Sequence, residues 1–418
     1  MELSQKEFQR VKVIENVVQT RIGLGEASQL LNLSARQVKR LKKRYRADSV
    51  EWVWHGNRGR SPAQKLAEPL RQQIVALARG KYVGFNDSHL TEKLVEVEQV
   101  AVSRETVRRV LRGAGLASPQ KRRPPRYRSR RERKPRLGMM VLADASREQW
   151  LEGRGPELTL LALQDDATGR VLAAQFQEQP EDTVGYLRVL RQMVERYGVP
   201  LSLYRDRHST FQRNDKNWTL EEELAGRQAP TQLGRALEQL GVEQIAALSP
   251  QAKGRIERLW RTFQDRLRSE LRLAGACSGE QANEVLERYL ADHERRFAVP
   301  AREVGNDFRP LSKRLNWDRL FSLRYERVVG QDHVIQFGSR PIQLPGRKGG
   351  HSYAGQRVEL SHQLDGQLVV WLGQERLWAV PLPLDYRPGE APRRPRVAKR
   401  KAPRIYVLGG RAAVAVRP

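Results

Sequence analysis

The sequence predicts a modular protein in which two sets of short helices lead into a mixed α/β unit, followed by a small antiparallel β unit. Three observations predict it. Apolar residues recur at helical spacing behind the capping residues Ser34 and Ser103; three short apolar runs and then alternating helix and strand patterns fill residues 138–275; and short strands with Gly and Asp-Gly turns follow residue 320. A chain of 418 residues exceeds one ordinary core and fits several units of roughly 100–200 residues each.

Charge narrows the function classes. The 76 Lys+Arg against 48 Asp+Glu give +28, which attracts a polyanion through long-range field and counterion release, so nucleic acid is the first partner expected. An anionic membrane surface would also attract such a chain. However, no run of 18 apolar residues and no signal-like amino terminus is present, so a soluble, cytoplasmic protein with no membrane partner is expected. Cys277 is the sole cysteine, which excludes an intramolecular disulfide and a zinc site built on two thiolates. A catalytic metal must then be held mainly by oxygen or histidine.

Residues 5–45 read as helices, since Phe8, Val11, Ile14, Val17 and Val18 recur at helical spacing and Gly23 to Gly25 break the run. In "GEASQLLNLSARQVKRLKKRYR" a short helix ends near Asn32, and Ser34 caps the next with Gln37 three residues on. This is a helix-turn-helix outline over residues 1–60. Its second helix turns Arg36, Lys39, Arg40 and Lys43 to water, with Val38, Leu41 and Tyr45 inward, which suits a major groove; the plainer reading is a solvated basic helix. Residues 61–118 repeat the pattern. "VAVSRETVRRVLRGAGL" caps with Ser103, buries Val107, Val110 and Leu111, and exposes Arg104, Arg108 and Arg109.

Residues 119–137 hold ten Lys/Arg against one Glu, with four prolines, too charged and too Pro-rich to form a packed helix; they read as a basic linker along DNA. From 138 to 275 the order is βββαβαβα: "MMVLADAS", two strands around the 166–169 turn, a helix capped by Asp182, "LSLYRD", "QLGRALEQLG", "EQIAAL", and a final helix. A three-strand meander followed by alternating helices and strands predicts a ribonuclease-H-like α/β core. Residues 276–320 read as a helical connector, 321–384 as a small antiparallel β-barrel beside DNA, and 385–418 as a basic, Pro-rich tail without packed structure.

The candidate chemistry rests on three acids. Phosphodiester cleavage or exchange needs an attacking oxygen activated and a leaving oxygen stabilised, and two Mg²⁺ ions about 3.5–4 Å apart do both. Such hard cations take carboxylate oxygens. Asp144 closes the first strand, Asp206 closes the fourth, and Glu257 lies on the first turn of the last helix, with 61 and 50 residues between them. These spacings fit separate elements converging on one spot. Around Glu257, "SPQAKGRIERLW" supplies Lys253, Arg255 and Arg261 for phosphate, while Ile256, Leu259, Trp260, Phe263 and Leu267 form the stripe that seats the helix. Each acid alone reads as a turn cap or surface ion pair; together they read as catalytic and metal-binding. Asp165 and Asp166 compete as ligands but head a turn, and Glu152 is a fourth candidate. His208 either contacts the scissile phosphate or orients its loop.

With those residues in hand, the chain resembles the ISNCY-type bacterial insertion-sequence transposases and, more distantly, retroviral integrases. The resemblance runs from about Gly23 to Leu384. It rests on "LSARQVKRLKKRYR", "HGNRGR", "SRETVRRVLRGAGL", "WLEGRGP", "DDATGR", "YRDRHSTF", "LGRALEQLGVEQI" and above all "SPQAKGRIERLWRTFQDRLRSELRL". It departs at Ala143, Ala145 and Glu148. The resemblance implies a DDE transposase whose triad is Asp144, Asp206 and Glu257, using Mg²⁺ or Mn²⁺, and working as a homo-multimer on paired ends of its own element. Its DNA partners would be terminal inverted repeats and target DNA. The alternative is a captured, inactive copy acting as a DNA-binding regulator; a ribonuclease acting on RNA ranks last, since it leaves the helix-turn-helix modules without purpose.

Overall fold

The computed structural model describes residues 3–54, 66–119, 124, 131–213, 217–247, 254–312, 314–346, 350–384 and 386. The chain divides into two compact units, residues 1–73 and 74–418. In the first, α1 (Gln5–Val18), α2 (Leu24–Leu31) and α3 (Ala35–Arg44) surround Val13, Ile14, Val17, Ala27 and Val38, closed by Trp52 and Val53. Local chemistry fixes the breaks. Asn32 ends α2 in the left-handed region at φ 50°, and Ser34 and Gln37 exchange side-chain and backbone bonds in a capping box.

Helix α4 (Glu68–Arg79) runs across the boundary into the second unit, where α5 (Asp87–Glu96) and α6 (Arg104–Gly113) follow. Asn86 caps α5 and Ser103 caps α6, and Leu90, Leu94, Val107, Val110 and Leu111 are buried. Helix α5 is fastened by charged side chains to two later helices, α10 (Ile256–Leu273) and α11 (Gly279–Phe297). Arg266 donates twice to Glu92 at 2.6 and 3.0 Å, Glu270 meets His89 at 2.6 Å and Lys93 at 2.9 Å, and Arg296 meets Glu96 at 2.6 Å.

The central sheet has the order β3-β2-β1-β4-β5, formed by β1 (Val141–Glu148), β2 (Leu158–Asp165), β3 (Val171–Gln177), β4 (Ser202–Arg205) and β5 (Glu243–Ala246). The first three strands pair antiparallel; β1 with β4 and β4 with β5 pair parallel. An antiparallel meander continued by parallel strands is the ribonuclease-H-like arrangement expected above. Strand residues alternate between two cores. Val141, Ala143, Leu161 and Leu163 meet α7 (Thr183–Tyr197) and α9 (Gln232–Gln239) on one face, while Leu142, Leu160 and Ala162 meet α10 and α11 on the other.

The structure differs from the sequence reading in several places. Strand β1 does not close at Asp144 but continues to Glu148, because β2 pairs with it along that whole length. Helix α11 is a layer of the core rather than a connector: Ala282, Val285, Leu286 and Tyr289 are buried with the sheet, and the Asn283 amide bonds both backbone groups of Phe176 in β3. Residues 298–312 and 314–316 form no helix or named strand before the short α12 (Trp317–Leu320). An unexpected helix, α8 (Leu220–Ala225), is set by a Thr219–Glu222 capping box.

The last strands form a four-stranded antiparallel sheet, β11-β10-β9-β6, and a separate hairpin of β7 with β8, not one closed ladder. They are β6 (Ser322–Val328), β7 (Val334–Phe337), β8 (Arg340–Gln343), β9 (Arg357–Gln363), β10 (Gln367–Leu372) and β11 (Glu375–Pro381). Ile335, Phe337 and Ile342 of the hairpin share a core with Leu360, Leu368 and Val370 of the sheet, so side chains rather than ladder bonds join them. Pro341 in β8 has no N–H to extend a ladder. The basic tail, except Tyr386, and residues 120–123 and 125–130 of the linker lie outside the described residues. Among those described, no helix is long and apolar enough to cross a membrane.

Candidate active site

The site begins with strand register. Val141 pairs with Leu203 and Leu142 with Tyr204 in parallel; Asp144 lies in β1 two residues past that pairing, and Asp206 is the first residue after β4. Strand β4 stops at Arg205 while β1 continues, which leaves Asp144 beside the open end of the β4 ladder. Alternation along β1 puts Asp144 on the face of Leu142, which belongs to the α10 core. Both aspartates are half-buried.

Helix α10 reaches the same place. Trp260 donates its indole N–H to Asp144 Oδ2 at 2.8 Å, and Glu148 accepts from Gln264 and Arg268, so β1 holds the helix at two points one turn apart. Glu257 lies one turn before Trp260, with its carboxylate exposed. The structure thus places Asp144 in β1 and Asp206 just past the end of the neighbouring β4, and sets Glu257 on the first turn of the helix that touches Asp144. Among the described residues, no three His, Cys, Asp or Glu side chains lie close enough to hold a metal ion.

The loop after β4 is shaped by Asp206 itself. Its Oδ1 accepts the His208 backbone N–H at 2.8 Å, and His208 Nδ1 lies 3.0 Å from Thr210 Oγ1 and 3.7 Å from Glu181 Oε1. Glu181 is a residue that the sequence reading missed. The buried Tyr186 hydroxyl donates to it at 2.8 Å. Burial pushes the Glu181 carboxyl above the usual range, and the charges of Asp206 and Asp144 push it further, against the pull of Tyr186 and His208. The same burial and the same three acids hold the Tyr186 phenol well above its ordinary value. Three carboxylates therefore feel one another at this end of the sheet. The signal was present in "PEDT", where only one of two adjacent acids can cap α7, and Asp182 does so.

The competing acids are engaged elsewhere. Asp165 accepts from Gly138 and Thr168 and so shapes its turn, and burial raises its pKa despite those bonds. Asp166, fully buried, binds Arg131, the Lys134 backbone and Arg255. Glu152 pairs with Arg154 at 2.9 Å and Arg272 at 2.6 Å. Arg255 is thus a tie between the start of α10 and the 166–169 turn, with burial lowering its pKa against the Asp166 charge. Arg261 is exposed on α10, and Lys253 lies outside the described residues. Arg36, Lys39, Arg40 and Lys43 are exposed on α3. Arg104, Arg108 and Arg109 are exposed on α6, where Arg108 is held by two 2.8 Å bonds to Glu105.

No family model matches the chain. The chain is 34% identical over 375 residues to a Sinorhizobium fredii protein named "Putative transposase y4bF", covering 89% of this chain and 80% of that one. It is 30% identical over 390 residues to the "Transposase for insertion sequence IS1202" of Streptococcus pneumoniae, covering 83% and 80% respectively. Among solved structures, the catalytic core domain of BIV integrase superposes with a TM-score of 0.27 at 17% identity, over 38% of this chain and 85% of that one. Strand order, not that superposition, identifies the fold. With a third of its residues shared over most of both lengths, the chain belongs to the bacterial insertion-sequence transposases.

Proposed function

We infer that the protein is a DDE transposase that binds the terminal inverted repeats of its element, cleaves a strand at each end, and joins the freed end to target DNA. The observation that supports this is that Asp144 lies in β1 and Asp206 directly follows the neighbouring parallel strand β4, with Asp144 bonded to the helix that bears Glu257. The donor set fits a hard divalent cation, since it offers carboxylate oxygens and no thiolate. Asp144, Asp206 and Glu257 would hold Mg²⁺ or Mn²⁺, which when bound activates the attacking oxygen and stabilises the leaving one. Two ions are proposed.

The chain's own residues do the rest. Water attacks in the first step and the 3′ hydroxyl in the second, each displacing an oxygen from the same kind of phosphodiester. The bond from Asp206 to the His208 backbone fixes the loop, which leaves the imidazole to orient that loop or meet the scissile phosphate. Arg261, one turn beyond Glu257, is exposed where it can hold phosphate. Helices α3 and α6, each after a turn and each with exposed cations, are proposed to read the terminal repeats in two grooves as helix-turn-helix modules. A homo-multimer on paired ends follows from the two-ended chemistry.

Calorimetry with Mn²⁺ tests the site directly. Wild-type protein should take up the ion, and Asp144→Asn and Asp206→Asn should each lose that uptake while keeping affinity for duplexes carrying the element's ends. Unchanged Mn²⁺ uptake in both variants would remove the two aspartates from the metal site.

A further inference from the structure

A groove opens beside the candidate site, between the turn that follows β3 and the start of α11. Its volume is about 650 Å³, and its lining includes Glu178, Glu181, Asp182 and Glu280 together with Arg188 and Leu384. In a chain of net charge +28, a groove with four carboxylates repels nucleic acid phosphate and attracts a cation-rich segment. Such a segment starts at its edge. Leu384 lines the groove, and two residues on the Tyr386 hydroxyl donates to the Phe337 carbonyl at 2.7 Å, which pins the chain where it leaves the last sheet. Residues 387–418 then carry ten Lys/Arg against the single acid Glu390, most of them in "RRPRVAKRKAPR".

We propose that this basic segment of the same chain docks in the acidic groove beside Glu181. Attachment at Leu384 keeps the segment at high effective concentration, so modest ion pairing suffices to hold it. A proline-rich sequence suits a groove, because proline leaves less entropy to lose on binding. The docking does not depend on the catalytic reading.

The chain provides its own probe. Cys277 is exposed, is the sole cysteine, and lies just before Gly279 and Glu280 of the groove. In the full chain, Ala398→Cys, and separately Ala402→Cys, is oxidised mildly at low protein concentration and mapped by mass spectrometry. Two positions are used because a disulfide needs close and well-directed Cβ atoms. Docking predicts an intrachain Cys277 disulfide that forms at least about tenfold faster than in denaturant, where the thiols meet only by loop closure. It also predicts slowing by Glu178→Lys with Glu280→Lys, both exposed positions, and by Lys399→Ser, Arg400→Ser and Lys401→Ser together. A native rate no faster than in denaturant, a rate unmoved by either charge set, or a disulfide formed only between molecules would overturn the proposal; the last would seat the segment on a second copy.

Discussion

The indole of Trp260 donates to the carboxylate of Asp144 across 2.8 Å, joining α10 to the middle of β1. Because Glu257 is one turn earlier on α10, this bond sets where the third acid stands relative to the first. Trp260→Phe keeps an aromatic filler and removes only the donor. Strand cleavage should fall about tenfold or more from lost positioning, with a stability cost of only about 1 kcal/mol. Rates on labelled ends and a urea titration measure the two effects separately. Equal loss of both would make Trp260 a packing residue alone.

Glu181 faces Asp144 and Asp206 from the turn before α7, held by Tyr186 and close to His208. Glu181→Gln retains an acceptor for Tyr186 but removes the charge. Mn²⁺ affinity should weaken by about tenfold, in the range seen when groups around metal ligands are altered. Wild-type affinity would place Glu181 outside the site.

The cations of α3 and α6 should differ in weight. Lys39→Ala with Arg40→Ala should weaken binding to all duplexes and lower the salt slope by about two, since each exposed cation releases about one counterion. On α6, Arg108 is already bonded to Glu105, so Arg108→Ala should cost less than Arg104→Ala. Binding isotherms at several salt concentrations decide both points.

His293 gives the fold a pH dependence. It is buried among Phe263, Tyr289 and Phe297, and burial, with help from the Arg266 charge and against Asp292, lowers its pKa to about 4. The unfolded imidazole titrates near 6.5, so between these values the unfolded chain binds more protons. Stability from this residue is full above about pH 6.5 and is lost as pH falls toward 4, by at most about 3 kcal/mol. His293→Leu should flatten that part of the pH profile in urea melts. An unchanged profile would assign the acid sensitivity to carboxylates such as Glu270, which is half-buried yet held below the usual range by bonds from His89 and Lys93.

What the sequence could tell was whatever lies within one element or one turn. Ser34 with Gln37, Ser103, and Asp182 announce their helices because each cap is made within three residues. The strand succession gave the sheet, because connection rules leave few ways to close a meander followed by alternating elements. Contacts across the chain were not legible. Trp260 reads as one more apolar stripe position, and nothing local shows that its N–H reaches Asp144. Arg255 reads as a phosphate ligand because its partner Asp166 is distant in sequence, and α11 reads as a connector because its partner strand β3 lies behind it. Helix α8 offered a signal in the Thr219–Glu222 capping box, but an acidic run of six residues with only Leu220 and Leu224 at helical spacing, both left exposed, is too short a pattern to predict a helix.

The central claim is that Asp144, Asp206 and Glu257 serve one strand-cutting site. It is tested most directly by incubating wild-type protein, Asp206→Asn and Glu257→Gln with labelled duplexes carrying the element's ends, in Mg²⁺ or Mn²⁺. Nicked and joined products from the wild type alone, with all three proteins binding the ends equally, are the predicted result. Cleavage retained by either variant, or absent from wild-type protein that binds the ends, would contradict it.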